Sequence, residues 1–325
     1  MLILNEKDMR RAITFKQVMD KVEDAYRIFA SGCFNMPERP VVMNNSDTIL
    51  YMPCFMEQCF GTKFLTLYPE NPGKGLPYID GLMLFNDVDT GKTLSIMDAA
   101  FLTALRTGAV GGVGMRCFSP LETDILALIG CGKQGFYQVL YACEARDIKE
   151  VYLFDPYAKN LANFVEGLQN ELGAKAPAFH TCASASEAIA PAQAVITATP
   201  ATAPVLPDDS ELLRGKTYIA IGSYKHEMRE LPDAIWSLLE QVYTELPFAL
   251  EESGDLYHPL AAGLFKEEQV LYMGDLLTQY ARPKPPKLGE TRYFKSVGMG
   301  LLDLNVSQLI YEQALKNNLG QQVDF

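Results

Sequence analysis

The chain has 325 residues, 48% of them hydrophobic and 21% charged, with 28 Lys plus Arg against 40 Asp plus Glu for a net charge of −12. This length accommodates roughly two domains with sizeable cores, and an acidic chain without a basic block argues against nucleic acid or an anionic membrane surface as a partner. No apolar run is long enough to span a bilayer, and the N-terminal segment has neither a long apolar core nor a small-residue cleavage site. Seven scattered cysteines without a Cys-x-x-Cys pair fit reduced thiols in a cytoplasmic protein. His180, His226 and His258 lie far apart in sequence with no acid or cysteine at ligand spacing, so no metal site is expected.

In chain order, residues 15–30 place Val18, Val22, Ala25, Tyr26 and Phe29 at helical spacing. Beyond Pro37 the segments 41–43, 49–52, 63–67 and 81–85 are β-like and separated by Pro, Gly and Asn turns, which predicts a mostly antiparallel sheet. Residues 98–117 read as a helix with Asp98 at or near its N-cap. That helix carries Gly108, Gly111, Gly112 and Gly114, each costing about 1 kcal/mol relative to Ala. The cost points to close approach of another backbone or a ligand; the alternative is a helix that ends near Gly111.

After Pro120 the pattern alternates between β and α. The apolar run Ile125 to Gly130 leads into Gly130-Cys131-Gly132-Lys133-Gln134-Gly135, a helical segment follows, and residues 151–154 form a second β-rich run that ends at Asp155. This is the dinucleotide-binding pattern in its strand–turn–helix–strand context. The first Gly serves the tight turn, the second the approach of a pyrophosphate, and the third the close packing of helix on strand. Free N–H groups of the helix N-terminus, with Lys133 and Gln134 in its first turn, suit phosphates. Asp155 stands where a carboxylate can accept hydrogen bonds from the adenosine ribose, and its charge disfavours a 2′-phosphate, so NAD is expected over NADP. A glycine-rich connection in another α/β domain, or a methyltransferase, would share part of this pattern.

Further on, a helix over 158–172, a strand near 178–181, a helix near 184–190 and strands over 194–199 and 217–221 continue the alternation. Thr197 and Thr199, and Gly222 with Ser223, fall at strand ends, where open α/β sheets hold ligands. A Pro- and Lys-rich connector over 281–290 precedes a strand, a tight Gly turn and a last helix with Leu301, Leu304, Val306, Leu309, Ile310 and Leu315. The predicted fold is α/β: a Rossmann-type doubly wound sheet domain over 120–298, and a smaller α+β substrate and dimerisation domain over 1–119 completed by the helix in 299–325.

Arg39-Pro40, Met52-Pro53, Gly61-Thr-Lys63, Pro69-Glu-Asn71, Thr90-Gly91, the run from Leu102 through Arg106 and Thr107 to Ala109, the glycine loop, Ala220-Ile-Gly222-Ser, Met228-Arg-Glu230-Leu and Phe294-Lys295-Ser-Val-Gly298 follow in order. With these motifs nearly the whole chain resembles the ornithine cyclodeaminase and μ-crystallin family. The resemblance implies a homodimer of two-domain subunits, with an active site in the cleft between domains. It also implies that Thr107 faces the cofactor and that Lys295 and Gly298 complete the nicotinamide side.

The residues themselves supply a chemistry. Lys63 and Arg106 are cations inside apolar segments, and Arg39 sits in a Pro-flanked turn; together they can clamp the carboxylate of an amino or imino acid. Lys63 can also give a proton to, or polarise, an imine or carbonyl beside a nicotinamide. The expected activity interconverts a small α-amino acid with its imine or keto acid, or reduces a cyclic ketimine. Ornithine-cyclising members carry an acid before the Met-Pro pair and an Asp in the loop after the glycine of the 217–221 strand. Here Leu50 and Tyr224 hold those positions, which fits a small apolar or cyclic substrate better than ornithine. Ornithine cyclodeamination with recycled NAD, and a dinucleotide-bound ligand-binding protein without catalysis, are the alternatives.

Overall fold

The computed structural model describes residues 1–158, 160–280 and 283–324; residues 281 and 282 of the connector lie outside the described residues. The chain divides into two units, Met1–Arg106 with Met299–Phe325, and Thr107–Gly298.

The first unit begins with β1 (Leu2–Leu4), α1 (Glu6–Ala12) and α2 (Phe15–Ser31). Thr14 and Gln17 form a reciprocal capping box at the start of α2, which satisfies donors that a helix N-terminus leaves without partners. The strands β2 (Val41–Asn44), β3 (Asp47–Phe55), β4 (Cys59–Leu67), β5 (Ile79–Asp87) and β6 (Thr93–Asp98) follow, and then α3 (Ala99–Phe118). With β15 (Gln321–Gln322) they form a seven-stranded sheet of order β15-β1-β6-β5-β4-β3-β2. It is antiparallel as expected, except where β1 runs parallel to β6. Burial alternates residue by residue along β4, so its odd-numbered residues face the core and its even-numbered ones the other side.

The second unit holds β7 (Ile125–Ile129), α4 (Lys133–Ala145), β8 (Glu150–Phe154), α5 (Leu161–Leu172), β9 (Ala178–Thr181), α6 (Ala185–Ile189) and β10 (Ala194–Thr197). It continues with α7 (Ser210–Leu213), β11 (Thr217–Ala220), β12 (Val242–Thr244), α8 (Ala249–Glu252), α9 (Gly254–Ala261), β13 (Val270–Tyr272), α10 (Met273–Gln279) and β14 (Arg292–Lys295). The sheet is parallel throughout, in the order β13-β12-β14-β11-β10-β7-β8-β9. Chain direction across the sheet reverses between β7 and β10, and the ends of those two strands flank the crevice in which doubly wound sheets take their ligands.

The second unit begins inside α3, at Thr107, and the glycines of that half of the helix meet side chains of α4, β11 and β14. A β-carbon at Gly108 would lie 2.6 Å from the Tyr141 ring, and one at Gly111 would collide with the Gln138 side chain. Gln138 is buried and donates from Nε2 to Thr107 O at 2.8 Å. Of the two readings of this helix, close approach holds. The last helix, α11 (Gly300–Lys316), packs on α1, α2 and strands β3 to β5 of the first unit, as its apolar stripe requires.

Candidate active site

Lys63 lies on the core face of β4, directly across from Met52 on β3 and Met83 on β5. Its side chain is 1% exposed. A buried ammonium is tolerated only with partners, and it has two: Asp303 Oδ1 at 2.7 Å and Thr103 Oγ1 at 3.2 Å. The same Asp303 oxygen accepts from Arg106 Nε at 3.0 Å. Arg106 comes from α3, one turn beyond Thr103, and Asp303 from the first turns of α11.

Burial lowers the Lys63 ammonium from 10.5 to about 8, opposed by the charge and hydrogen bond of Asp303 and reinforced by the positive charges of Arg106 and Arg39. Arg39 is half-buried in the segment before β2, close enough for its charge to act on Lys63. The first unit thus brings Lys63 and Arg106 together on one buried carboxylate, with Arg39 near enough for its charge to reach Lys63. Leu50 lies on the same sheet face as Met52, cross-strand from Leu65. Among the described residues, the third Nζ donor of Lys63 and the terminal amino groups of Arg106 take no protein acceptor. Those donors suit a carboxylate and a basic nitrogen.

In the second unit Gly130 adopts φ +99°, and a β-carbon there would lie 2.7 Å from Ala198 O, so only glycine fits this turn. A β-carbon at Gly135 would collide with Gly130 O. Gly132 caps α4 without a side-chain hydrogen bond, and a β-carbon there meets nothing within 4 Å. Gly132 and Lys133 are exposed, and Gln134 Oε1 is buried without a partner among the described residues. Open space over free helix N–H groups is what a pyrophosphate requires. Asp155 accepts from Cys131 N at 2.8 Å and Tyr157 N at 2.9 Å, one per carboxylate oxygen. Each oxygen keeps lone pairs for ribose hydroxyls. These residues fit a dinucleotide. Burial beside Asp155 pushes the Cys131 thiol up to about 12, which makes it a poor redox thiol and leaves it the small turn residue.

The remaining strand-end residues converge on a carboxylate to which sequence reading gave no role. Glu230 is fully buried and accepts from Thr199 N and Oγ1 through Oε1, and from Thr197 Oγ1, Gly222 N and Ser223 N through Oε2, at 2.7–3.3 Å. Burial pushes its carboxyl up, while Lys295 and the Thr199 bonds draw it down. Five donors aimed at it match an ionised, acceptor-only carboxylate. Asp255 accepts from the backbone N–H of Glu230 and Leu231, and its other oxygen lies 3.5 Å from Lys295 Nζ. Lys295 is completely buried, and the Ser223 hydroxyl donates to Met228 O. Gly298, at φ +78°, donates to Glu245. Among the described residues no cluster of three His, Cys, Asp or Glu side chains could hold a metal ion, and no helix is long and apolar enough to cross a membrane.

Asp255 was missed because it closes the acidic stretch that begins at Glu251, with no spacing to single it out; Asp303 was missed because it is a lone acid inside an apolar run, where the only signal was a charge on a stripe that should be buried. Glu230 stood within a quoted motif, but nothing in the spacing shows that the ends of two strands meet on it.

Sequence and fold comparisons agree. A Delta(1)-pyrroline-2-carboxylate reductase of Bacillus cereus is 30% identical, over 100% of both chains. The structure of the Thermococcus litoralis Delta(1)-pyrroline-2-carboxylate reductase in complex with NADH and L-proline superposes with a TM-score of 0.90 at 31% identity, covering 99% of this chain and 100% of that one. An archaeal alanine dehydrogenase dimer with bound NAD gives a TM-score of 0.88 at 26% identity, over 100% of this chain and 99% of that one. Residues 1–318 match the family profile, and the chain belongs to the ornithine cyclodeaminase/mu-crystallin family.

Proposed function

We propose that this protein is an NAD-dependent oxidoreductase that reduces a small cyclic ketimine carboxylate of the Delta(1)-pyrroline-2-carboxylate class to the corresponding cyclic amino acid. The observation that carries the reading is the buried Lys63, held by Asp303 with one Nζ donor to spare, beside the open end of the Arg106 guanidinium. Bound NADH would supply the hydride that forms the new C–H bond at the imine carbon. The C=N π electrons then need a proton on nitrogen, and Lys63 is the residue to give it: a group titrating near 8 is protonated at neutral pH yet gives up its proton readily. Arg106, with Arg39, binds the carboxylate and fixes the ring so that this transfer occurs within the complex.

Leu50 favours an apolar ring over the δ-ammonium of ornithine, for which it offers no counter-charge. Asp155 favours NAD, since a 2′-phosphate would meet its charge. The relatives from Bacillus cereus and Thermococcus litoralis carry the same activity in their names, which supports the ring size.

A second copy of the chain is the expected partner. The sheet face of the first unit opposite Lys63 carries the cross-strand row Tyr51, Phe64 and Leu82, and Phe55 stacked on Phe60 at 4.8 Å. Tyr51 and Leu82 are 40% and 48% exposed. An apolar sheet face of this extent is suited to self-association.

The assay is NADH consumption with Delta(1)-pyrroline-2-carboxylate, its six-membered homologue, and pyruvate with ammonium. Turnover of the cyclic imines is expected, and the absence of NADH consumption with any carboxylate-bearing imine would refute the reading. Ammonia release from ornithine without net NADH formation would favour cyclodeamination instead. Because reduction needs protonated Lys63, kcat/KM for the imine falls as pH rises through about 8. Oxidation of L-proline, which needs the neutral amine, rises through the same range.

A further inference from the structure

We propose that Asp303 is the positioning residue of this site: through one oxygen it aims both Lys63 and Arg106 at the substrate carboxylate and ring nitrogen. The inference rests on the reading above but makes a separate claim about a residue on a different element. Asp303 Oδ1 accepts from Lys63 Nζ at 2.7 Å and from Arg106 Nε at 3.0 Å. Its own backbone carbonyl accepts from Ser307 Oγ at 2.7 Å, inside α11. The carboxylate is 1% exposed, and its second oxygen has no partner among the described residues.

A carboxylate that only neutralised two cations would gain by presenting both oxygens, since side-on pairing with Arg is the stronger geometry. Here the shared oxygen engages Nε alone. Nη1 and Nη2 are thereby left clear, and Lys63 is turned so that Thr103 takes a second donor and the third stays open.

Asp303 also has an electrostatic part. The charges acting on Lys63 are Asp303 on α11, Arg106 on α3 and Arg39 before β2; the Cys54 thiol on β3, which feels the Asp303 charge, is pushed up to about 12 and so stays neutral. The α2 helix, which packs on α11, brings the Glu23 and Arg27 pair. Asp303 is therefore the near anion that opposes burial and two cations. Without it the Lys63 midpoint would fall further, and less of the site would hold a proton to donate at neutral pH.

The test is Asp303→Asn, which keeps shape and removes charge, together with Asp303→Glu, which keeps charge and shifts the oxygen by one methylene. Lysine labelled at Cε with carbon-13, with Lys63→Met to assign the resonance, reports the Lys63 midpoint by NMR without any substrate. The midpoint in the Asn variant should fall by about one pH unit or more. Accordingly kcat/KM at pH 8 should drop at least about fivefold, with the deficit narrowing as pH is lowered. The Glu variant should titrate near wild type but lose kcat/KM at every pH.

An unchanged midpoint in the Asn variant, or a loss of activity that is the same at all pH values, overturns the proposal. If the Asn variant does not fold, the Glu variant decides: full activity overturns the positioning role, whereas a normal midpoint with reduced activity supports it. If the wild-type protein reduces no imine, the function proposed above fails, while the NMR midpoints still decide whether Asp303 controls Lys63.

Discussion

Replacing Glu230 with Gln probes the strand-end junction of the dinucleotide domain with little change in volume. In the native protein Oε1 accepts from Thr199 N and Oγ1, and Oε2 accepts from Thr197 Oγ1, Gly222 N and Ser223 N. In the amide, one of these oxygens becomes an NH2 group that faces two or three donors. At least one backbone N–H and one hydroxyl then lose their acceptor in a buried site. Each buried group left without a partner costs about 1–3 kcal/mol, so the variant should lose roughly 2–6 kcal/mol. For a unit of this size each kcal/mol corresponds to roughly 2–4 °C, which predicts a fall in its melting temperature of roughly 5–20 °C. Scanning calorimetry gives the melting temperature, and NADH fluorescence titration gives the affinity. Because Thr197, Thr199, Gly222 and Ser223 are also the strand-end residues expected to meet the cofactor, NADH binding should weaken together with stability. A variant that melts within 2 °C of wild type, to within about 1 kcal/mol on this scale, and binds NADH normally would refute the reasoning.

Four further perturbations follow from the geometry. Gly132→Ala places a methyl group in open space at the phosphate-facing turn; it should leave the melting temperature unchanged and weaken NADH at least about tenfold. Gly135→Ala instead collides with Gly130 O, so it should lower both stability and affinity, and equal behaviour of the two variants would contradict this assignment. Asp155→Ser removes the carboxylate expected at the ribose, and the ratio of NADPH to NADH affinity should rise at least about tenfold; an unchanged ratio from parallel titrations would count against Asp155 as the selector. Leu82→Lys on the outer sheet face should shift the protein towards monomer in sedimentation equilibrium while leaving NADH binding intact, and an unchanged oligomer would exclude that face as the interface.

Much of the fold could be read directly from the residues. The glycine loop with its flanking strands and distal Asp155 specified a doubly wound domain, because a turn that approaches a phosphate allows few residue types and few spacings. Periodicity located α2, β2 to β5, α3 and α11 to within a few residues, since a 3.6-residue or two-residue repeat is written locally. The short strands β1, β12 and β13 carried no such signal. They are three residues each, and only their neighbours in the sheet make them strands.

The cations Arg39, Lys63 and Arg106 stood out as charges in apolar or Pro-flanked contexts. That Lys63 and Arg106 meet on Asp303 did not, because 240 residues separate Lys63 from its acid and no local rule spans that distance. The same holds for Glu230, which closes on Thr197 across 33 residues. Sequence by itself determined which groups could do chemistry and which turn could hold a dinucleotide, because residue type and local spacing fix donor inventory and backbone conformation. Only the tertiary structure decided which buried carboxylate each cation answers to. It thereby decided how far Lys63 is drawn from the ordinary lysine range towards neutrality, because desolvation and charge pairing depend on what surrounds a side chain rather than on what precedes it in the chain.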